Sequence, residues 1–206
     1  MAVKKRKTAD AWKKKEWLTL VAPAELEEKQ IGLTPTDKIE KVIGRIAEIT
    51  LREITSNINH QFVKLRLRVR EVKGKTAYTE LVGFELMREY LRRNVRRRRS
   101  MIRTIQSLKT SDGKRIQVTT FVFTARKLDS SKKAAIRSEM ARIMAQDVPK
   151  ETFIHAVEKG IFGGLATEVF KAVKNIAPTR RVEVYKLELV ETEPKKEQKL
   201  AVQAQQ

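Results

Sequence analysis

The sequence predicts an α+β fold in which helices flank a largely antiparallel sheet that is curled or forms a β-barrel-like core. Three observations support this class. Strand-like segments occur in pairs separated by tight turns, three later segments repeat apolar residues at helical spacing, and the two types come in blocks instead of alternating. A basic N-terminal arm, residues 1–16, precedes the predicted single domain, residues 17–190. The polar residues 191–206 are expected to form a disordered tail.

The first part of the chain contains two predicted strands. A short apolar run, Leu18–Val21, predicts the first, and the β-branched segment Val42–Leu51 predicts the second. Residues 24–37 are expected to be irregular because they contain glycine and proline, and residues 56–60 are expected to form a polar turn. Trp17 is expected to pack against the domain.

Residues 62–72 give the clearest strand signal. Apolar and cationic residues alternate, which predicts a strand with one buried face and one wholly cationic face. Cations on such a face are roughly 7 Å apart, close to the spacing of phosphates along an extended backbone. A tight turn at Lys73-Gly74 leads to the returning strand Thr76–Val82. Instead of phosphates, these cations could pair with acids on a neighbouring strand, and Glu80 could serve one of them. The positions expected to be buried are Val63, Leu65, Leu67 and Val69.

The next predicted element is a helix that carries the densest positive charge in the chain. Residues 85–103 contain eight arginines against two glutamates. Apolar residues at i, i+3, i+7 and i+11 form one stripe, and arginines fall on the opposite side. The helix is expected to begin after Gly83 and to end near Arg97 or Arg98. The stripe consists of Phe84, Met87, Leu91 and Val95, and the opposite side of Arg92, Arg93, Arg96 and Arg97.

The second half of the chain predicts a hairpin, three helices and a last strand. The hairpin pairs Ile102–Leu108 with Arg115–Arg126 around a turn that ends at Gly113, and its second strand is expected to be central. Asp129 or Ser130 is expected to cap the first helix. The later elements are Lys132–Gln146, Pro149–Lys159, Leu165–Lys174 and the strand Val182–Val190. The residues expected to be buried are Ile136, Met140, Ile143, Met144, Leu165, Val169 and Val173.

The charge of the chain is large and unevenly placed. The 206 residues include 45 basic and 25 acidic ones, a net charge of +20. From residue 146 onward ten basic and nine acidic residues nearly cancel, whereas the first 145 residues hold 35 basic and 16 acidic ones, a net charge of +19. An excess of 19 positive charges over 145 residues is self-repelling, so the chain is expected to bind an anion. A nucleic-acid ligand is favoured over an anionic membrane or a merely soluble surface.

No motif predicts catalysis, a metal site or a cofactor. The absence of cysteine excludes disulfides, thiolate metal sites and a cysteine nucleophile. His60 lies in a polar turn without a second ligand nearby, and Gly163-Gly164 fits no phosphate-loop spacing, so it is expected to join two helices. No apolar run reaches membrane-spanning length, and the N-terminus does not resemble a secretory signal, which favours the cytoplasm.

Arginine and lysine can bind nucleic acid by displacing counterions from phosphates. Arginine dominates the folded part, and its planar group can hold two phosphate oxygens. Aromatic residues make up only 6% of the chain, so backbone and shape recognition of folded RNA is favoured over base stacking. The predicted RNA-binding residues of the arm are Lys4, Lys5, Arg6, Lys7, Trp12, Lys13, Lys14 and Lys15. Those of the cationic strand are Lys64, Arg66, Arg68 and Arg70. Those of the arginine-rich helix and the turn after it are Arg88, Arg92, Arg93, Arg96, Arg97, Arg98, Arg99 and Arg103. Those of the later helix are Lys132, Lys133 and Arg137.

Short motifs in a consistent order point to a known family. They are Lys14–Trp17 with Val21–Pro23, Gly44–Glu48, Leu65, Lys73–Lys75, Gly83, Leu86, Arg88, Thr110–Gly113, and Arg137, Met140, Ile143 and Met144. Together they resemble the S3Ae family of archaeal and eukaryotic small-subunit ribosomal proteins. The arm is shorter than in eukaryotic members and their long C-terminal extension is missing, so the chain is similar to the archaeal short form.

The resemblance implies a β-barrel-like sheet with flanking helices and a ribosome-bound, cytoplasmic protein. It also implies a place on the platform of the small subunit, near the mRNA exit and the 3′ region of the rRNA. The expected partners are that rRNA and neighbouring ribosomal proteins, with mRNA as a further candidate and no membrane.

Two other classes stay open from the residues alone. One is a free nucleic-acid-binding regulatory or chromatin-like protein, and the other is an RNA-modifying enzyme with an unrecognised site. Basic faces on several different elements favour the ribosomal class, because one free duplex would contact fewer of them.

Overall fold

The computed structural model describes residues 15–26 and 28–190. Most of the predicted arm and the predicted tail, residues 191–206, lie outside this part of the chain. The region predicted as one domain is built from two compact units, one ending at Val82 and the other beginning at Gly83. None of the helices in the described residues is long and apolar enough to cross a membrane.

The N-terminal unit is a mixed sheet. Its strands are β1 (Glu16–Val21), β2 (Gln30–Thr36), β3 (Ile46–Thr50), β4 (Val63–Lys73) and the first part of β5 (Thr76–Leu86), in the spatial order β2-β1-β5-β4-β3. The pairs β1–β2 and β3–β4 are antiparallel, whereas β1 and β5 run parallel. The connections contain 3₁₀ turns at Ala24–Leu26, Ile39–Lys41 and Ile58–His60, and the helix α1 (Leu51–Thr55).

Strand β4 confirms the alternation predicted from the sequence. Val63, Leu65, Leu67 and Val69 are buried, and the residues between them are not. A core forms behind the sheet because apolar residues of β1, β4 and β5 share this face. Its buried members are Leu18, Leu20, Val42, Val69 and Ala77.

One prediction for this unit is wrong, and another holds only in part. Residues 24–37 are not irregular throughout, because β2 pairs with β1 along its length. The Pro35 carbonyl accepts from Arg45 Nη1 at 2.9 Å, so the backbone of this residue points away from β1. Proline is tolerated here because β2 is an edge strand and the missing N–H lies on its open side. The predicted strand Val42–Leu51 is shorter, because Val42 ends a 3₁₀ turn and Leu51 begins α1.

The C-terminal unit is an antiparallel sheet with helices packed on it. Its strands are the rest of β5, β6 (Met101–Lys109), β7 (Arg115–Thr124) and β8 (Thr179–Leu189), in the order β5-β8-β7-β6. The helices are α2 (Arg88–Asn94), α3 (Ser130–Asp147), α4 (Phe153–Ile161) and α5 (Gly164–Lys174). Helix α3 packs against β6 and α5, and both α4 and α5 pack against β8.

The α+β class and the largely antiparallel pairing are confirmed, but the barrel-like core is wrong. Among the described strands, pairing ends at β2 and β3 in the first unit and at β6 in the second, so neither sheet closes. The predicted hairpin, the central position of β7 and the helix–helix joint are confirmed. Gly113 and Gly163 take φ values of +73° and +81°, which glycine adopts without strain.

The predicted arginine-rich helix is largely wrong. Strand β5 continues to Leu86, and Phe84 pairs with Leu187 and buries its ring against Gly160. The helix α2 therefore begins only at Arg88 and ends at Asn94, and Val95 is 51% exposed. A second predicted helix is also divided, since Val148–Lys150 is a 3₁₀ turn and α4 begins after Thr152.

Candidate nucleic-acid interface

Helix α2 is held on the sheet of the C-terminal unit by one buried aromatic side chain. The Tyr90 hydroxyl donates to Glu183 Oε1 at 2.9 Å and accepts from Arg181 Nη2. The guanidinium groups of Arg93 and Arg181 lie 5.4 and 5.2 Å from the centre of its ring. Arg93, predicted to bind RNA, therefore also stabilises the position of α2.

A second tyrosine holds the start of this segment. The Tyr185 hydroxyl donates to Glu85 Oε1 at 2.5 Å. Arg88 also hydrogen bonds to Tyr185, and burial together with the Glu85 carboxylate raises the pKa of this phenol. The two tyrosines thus hold the start and the middle of the α2 segment, and the exposed Arg92 projects from a supported helix.

The turn after α2 is anchored by Ser100. Its carbonyl accepts from the Thr124 N–H at 3.0 Å, and its own N–H donates to Thr124 Oγ1 at 3.0 Å. The Leu128 N–H donates to Ser100 Oγ at 3.0 Å. Both Ser100 and Thr124 are buried, so this turn is tied to the end of β7. Arg98 takes a left-handed conformation within it, with φ of +61°.

Because the turn is anchored, cations from three separate segments lie together at one end of the sheet: the turn itself, the loop after β7 and the start of β8. The turn places its arginines next to the loop that follows Thr124, and Thr179, at the start of β8, pairs with Thr124. We call this group the basic end, and its members are Arg96, Arg97, Arg98, Arg99, Arg126, Lys127 and Arg180. Arg99 is half-buried and the others are exposed.

The sequence-based prediction missed Arg126, Lys127 and Arg180. Each lies in a segment without a strong local charge pattern, and only the strand register brings them to the arginine turn. A neighbouring acid at this end is Asp129, which occupies the N-cap position of α3 without a capping hydrogen bond from its side chain. The predicted Lys132 and Lys133 follow in the first turn of that helix, where Lys132 is exposed and Lys133 is half-buried.

The charges of the basic end are not neutralised within the part of the chain that the structure describes. None of its seven side chains forms a salt bridge to a described acid. A guanidinium without a carboxylate partner keeps its fork of donors for an external anion. The geometry therefore suits phosphate groups, which accept such bidentate hydrogen bonds.

The cationic strand β4, in the N-terminal unit, differs because two acids contact three of its four cations. Lys64 Nζ and Arg66 Nε each lie 3.7 Å from a Glu48 carboxylate oxygen, since Glu48 is the cross-strand partner of Arg66. Arg68 Nε donates to Glu80 Oε1 at 2.8 Å. Pairing with acids, the alternative to phosphate binding in the sequence analysis, thus holds for three of the four cations. Arg70 is the exception and is exposed.

The remaining predicted residues are dispersed. Arg103 is exposed on the outer face of β6, and Arg137 is exposed on α3, whereas Arg142 on the same helix is paired with Glu139. Lys15 is half-buried at the start of the described chain. The other predicted contacts of the arm lie outside the described residues: Lys4, Lys5, Arg6, Lys7, Trp12, Lys13 and Lys14.

No group of three metal-ligating side chains occurs in the described residues. His60 lies 3.2 Å from the Thr55 hydroxyl, and His155 contacts Glu151 and Glu158 at 3.5 and 3.3 Å. These contacts account for the two histidines as surface residues of a turn and of α4.

Replacing Tyr90 with phenylalanine is expected to destabilise the protein by about 1–2 kcal/mol, because Glu183 loses a donor next to buried surface. Burial, reinforced by the Glu183 carboxylate, raises the pKa of Tyr90 to about 12. The raised pKa means that the fold favours the neutral phenol, so this contribution is complete below about pH 10 and is lost as the pH rises towards 12. Denaturant unfolding of Y90F and the unchanged protein should show a gap that is constant near pH 8 and shrinks between pH 10 and 12. A gap that does not change there would contradict the role of this hydroxyl.

Comparison with known proteins identifies the family. The ribosomal S3Ae family model matches residues 3–193. Among similar proteins, the small ribosomal subunit protein eS1 of Archaeoglobus fulgidus is 39% identical over 194 residues, covering 92% of each chain. The proteins of that name from Methanococcus maripaludis and Aeropyrum pernix are each 36% identical, covering 91% and 88% of this chain and 83% and 86% of their own. Since the match spans nearly the whole chain, the chain belongs to the ribosomal S3Ae family.

Proposed function

We propose that the protein is a structural constituent of the small ribosomal subunit that binds rRNA through phosphate contacts of the basic end and so supports translation. The observation that carries this proposal is the group of guanidinium and ammonium ions without acidic partners, held on an anchored turn. Because Ser100 and Tyr90 fix the backbone beforehand, little ordering is needed on binding.

Backbone recognition fits this surface better than base recognition. Arginines dominate the basic end, and the nearest aromatic ring of that segment, Tyr90, is buried against the sheet. A cationic surface made by three segments is broad, which suits a folded RNA with converging phosphate backbones. A free regulatory protein on one duplex is the alternative class.

The family membership supports a more specific position. The relatives are named small ribosomal subunit proteins, which supports the subunit alone. Within it we propose a place on the platform, near the mRNA exit and the 3′ region of the rRNA, which is the position that the resemblance to the S3Ae family implies. Its partners there are the rRNA and neighbouring ribosomal proteins, with mRNA as a further candidate. This position makes it a ribosome-bound protein of the cytoplasm.

Sedimentation of a lysate of the source cells at low salt tests the function. The native protein should travel with small ribosomal subunits, and purified protein should bind small-subunit rRNA with a strong salt dependence. If about eight phosphates are neutralised, log K against log salt should fall with a slope of roughly −6 to −7. A protein that sediments apart from small subunits, or with DNA, would support the regulatory class instead.

A further inference from the structure

The hairpin of β6 and β7 carries cations on the outer face of the C-terminal sheet, the side turned away from α3. Thr104 and Gln106 of β6 hydrogen bond to α3 at 3.4 and 3.1 Å, so the alternate residues of this strand point to the outer face. The exposed side chains there include Arg103 and Lys109, and β7 adds Arg115, the cross-strand partner of Lys109. The outer face of these two strands contains cations and no acidic residue.

Lys109 and Arg115 form a like-charge pair. They stand directly opposite each other in the antiparallel register, where Cβ atoms are about 4.5–5.5 Å apart and like charges destabilise the sheet. Neither side chain forms a salt bridge to an acid in the part of the chain that the structure describes. An anion bound between them would relieve the repulsion, so the pair has the charge of a phosphate site.

The acids nearest to this pair have partners of their own. On the outer face of β8, the Glu188 carboxylate lies 2.6 Å from Lys186 Nζ. In the hairpin turn, Asp112 Oδ2 accepts from the Phe153 N–H at 3.0 Å. Residues 191–206, which lie outside the described part of the chain, hold three glutamates and three lysines and so bring no net charge. The like-charge pair is therefore left for an external anion.

The turn between the two strands is held on the C-terminal unit. The Ser111 N–H donates to the Glu151 carbonyl at 3.0 Å, and Lys114 Nζ lies 5.2 Å from the centre of the Phe153 ring. The hydrogen bond between Asp112 and Phe153 is a third contact of the same turn. The Glu151 carboxylate itself pairs with a lysine of α4. Because the backbone beside the like-charge pair is fixed, little ordering is needed on binding.

The like-charge pair and the basic end lie at opposite ends of β6. Met101 begins this strand directly after the anchored turn, and Lys109 follows eight residues later. At about 3.4 Å per residue, the two ends of the strand are roughly 27 Å apart. One phosphate group cannot contact both ends, so the pair is a separate site.

We propose that Lys109 and Arg115 bind a phosphate group of the rRNA, at a second contact separate from the basic end. The proposal rests on the proposed function, since the same RNA is the ligand. The guanidinium can hold two phosphate oxygens, and the ammonium adds a point charge. With contacts at both ends of β6, the protein holds two positions of the folded RNA, and the second contact forms within the complex that the first has made.

A double variant of the full-length protein, Lys109→Gln with Arg115→Gln, removes both charges and keeps polar side chains. Near 0.1 M salt, we expect the affinity for small-subunit rRNA to fall about tenfold and the slope of log K against log salt to become shallower by about 1.4–1.8. The matched control, Arg142→Gln with Lys150→Gln, also removes one arginine and one lysine, but each of these is paired with an acid of α3. Filter binding should show less than half the effect in the control, and equal effects would overturn the proposal.

Lys109→Glu separates ligand binding from a structural role. This substitution places opposite charges across the two strands, so the denaturant midpoint of the free protein should rise while the affinity for rRNA falls at least about tenfold. A fall in both quantities would show that Lys109 supports the fold, and would overturn the proposal.

Chemical protection identifies the ligand. In the unchanged protein, bound rRNA should protect Lys109 from acylation and should leave Lys150 reactive. Protection of Lys109 by polyglutamate but not by rRNA would assign the site to an acidic protein segment, and would overturn the proposal. Unchanged rRNA affinity in the double variant, with normal sedimentation, would remove the second contact and leave the proposed function in place. Loss of rRNA binding by the unchanged protein would instead overturn both.

Discussion

Replacing Arg96, Arg97 and Arg126 with alanine is expected to lower the affinity for small-subunit rRNA by about 10²–10³-fold near 0.1 M salt. Each lost phosphate contact removes about 0.7–0.9 from the slope of log K against log salt, so the three together should reduce it by about 2 to 3. All three side chains are exposed at the basic end, so the free energy of unfolding should change little. Filter binding over a range of salt concentrations measures the affinity and the slope.

The matched control is the alanine triple variant of Lys64, Arg66 and Arg68. These cations lie near Glu48 and Glu80, so much of their charge is already neutralised. We expect the slope to change by less than half as much as in the basic-end variant. Equal effects of the two variants would show that the partners of the cations do not decide which surface binds RNA. Glutamate in place of alanine at the basic end should block incorporation into small subunits.

The largest expected effect on stability is that of Gly83→Ala, which should destabilise the protein by about 3–5 kcal/mol or prevent folding. An added Cβ at this residue would overlap the Leu187 carbonyl oxygen and lie 2.9 Å from Glu188 Cα. Gly83 also has a φ of +156°, which residues with a side chain seldom adopt. The obstruction is backbone, which cannot rotate away as a side chain can. Denaturant unfolding measures the change.

Gly32→Ala is the control for this substitution. Gly32 also lies in a strand, but no atom lies within 4 Å of the position of its added Cβ. We expect a change of less than about 1 kcal/mol, with either sign. A similar loss in both variants would mean that strand glycines in general, and not the approach of β8 to Gly83, limit stability.

Sequence periodicity was sufficient to predict an element and its buried face where one physical requirement, the burial of an apolar stripe, decided the structure. Strand β4 and helix α3 each bury one apolar stripe, so their faces follow from spacing alone. Gly113 and Gly163 fill positions where a positive φ is required. The comparison with known proteins also confirms the predicted family, a family of ribosomal proteins and not of enzymes.

The errors arise where pairing with distant residues decides the structure. Phe84 and Leu86 fit a strand and a helix equally well by spacing, and the partner strand β8 begins almost one hundred residues later. Trp17 is more exposed than expected because it points to the outer face of the sheet. The basic end could not be found from local charge, because hydrogen bonds of Ser100 and the register of β7 with β8 assemble it.

The first half of β5 follows its partners β1 and β4 in the sequence, whereas the second half precedes its partner β8 by almost one hundred residues, so the two halves can pair only at different times during synthesis. Once Val82 has been made, every strand that pairs in the N-terminal unit exists, whereas Phe84 and Leu86 lack β8 until Leu189 has been added. Throughout this delay the apolar end of β5 is open to association with other chains. The arginine-rich segment is synthesised directly behind it, and repulsion between its like charges opposes such association. We therefore expect the arginines that are proposed to bind RNA in the finished protein to oppose aggregation of its unfinished form.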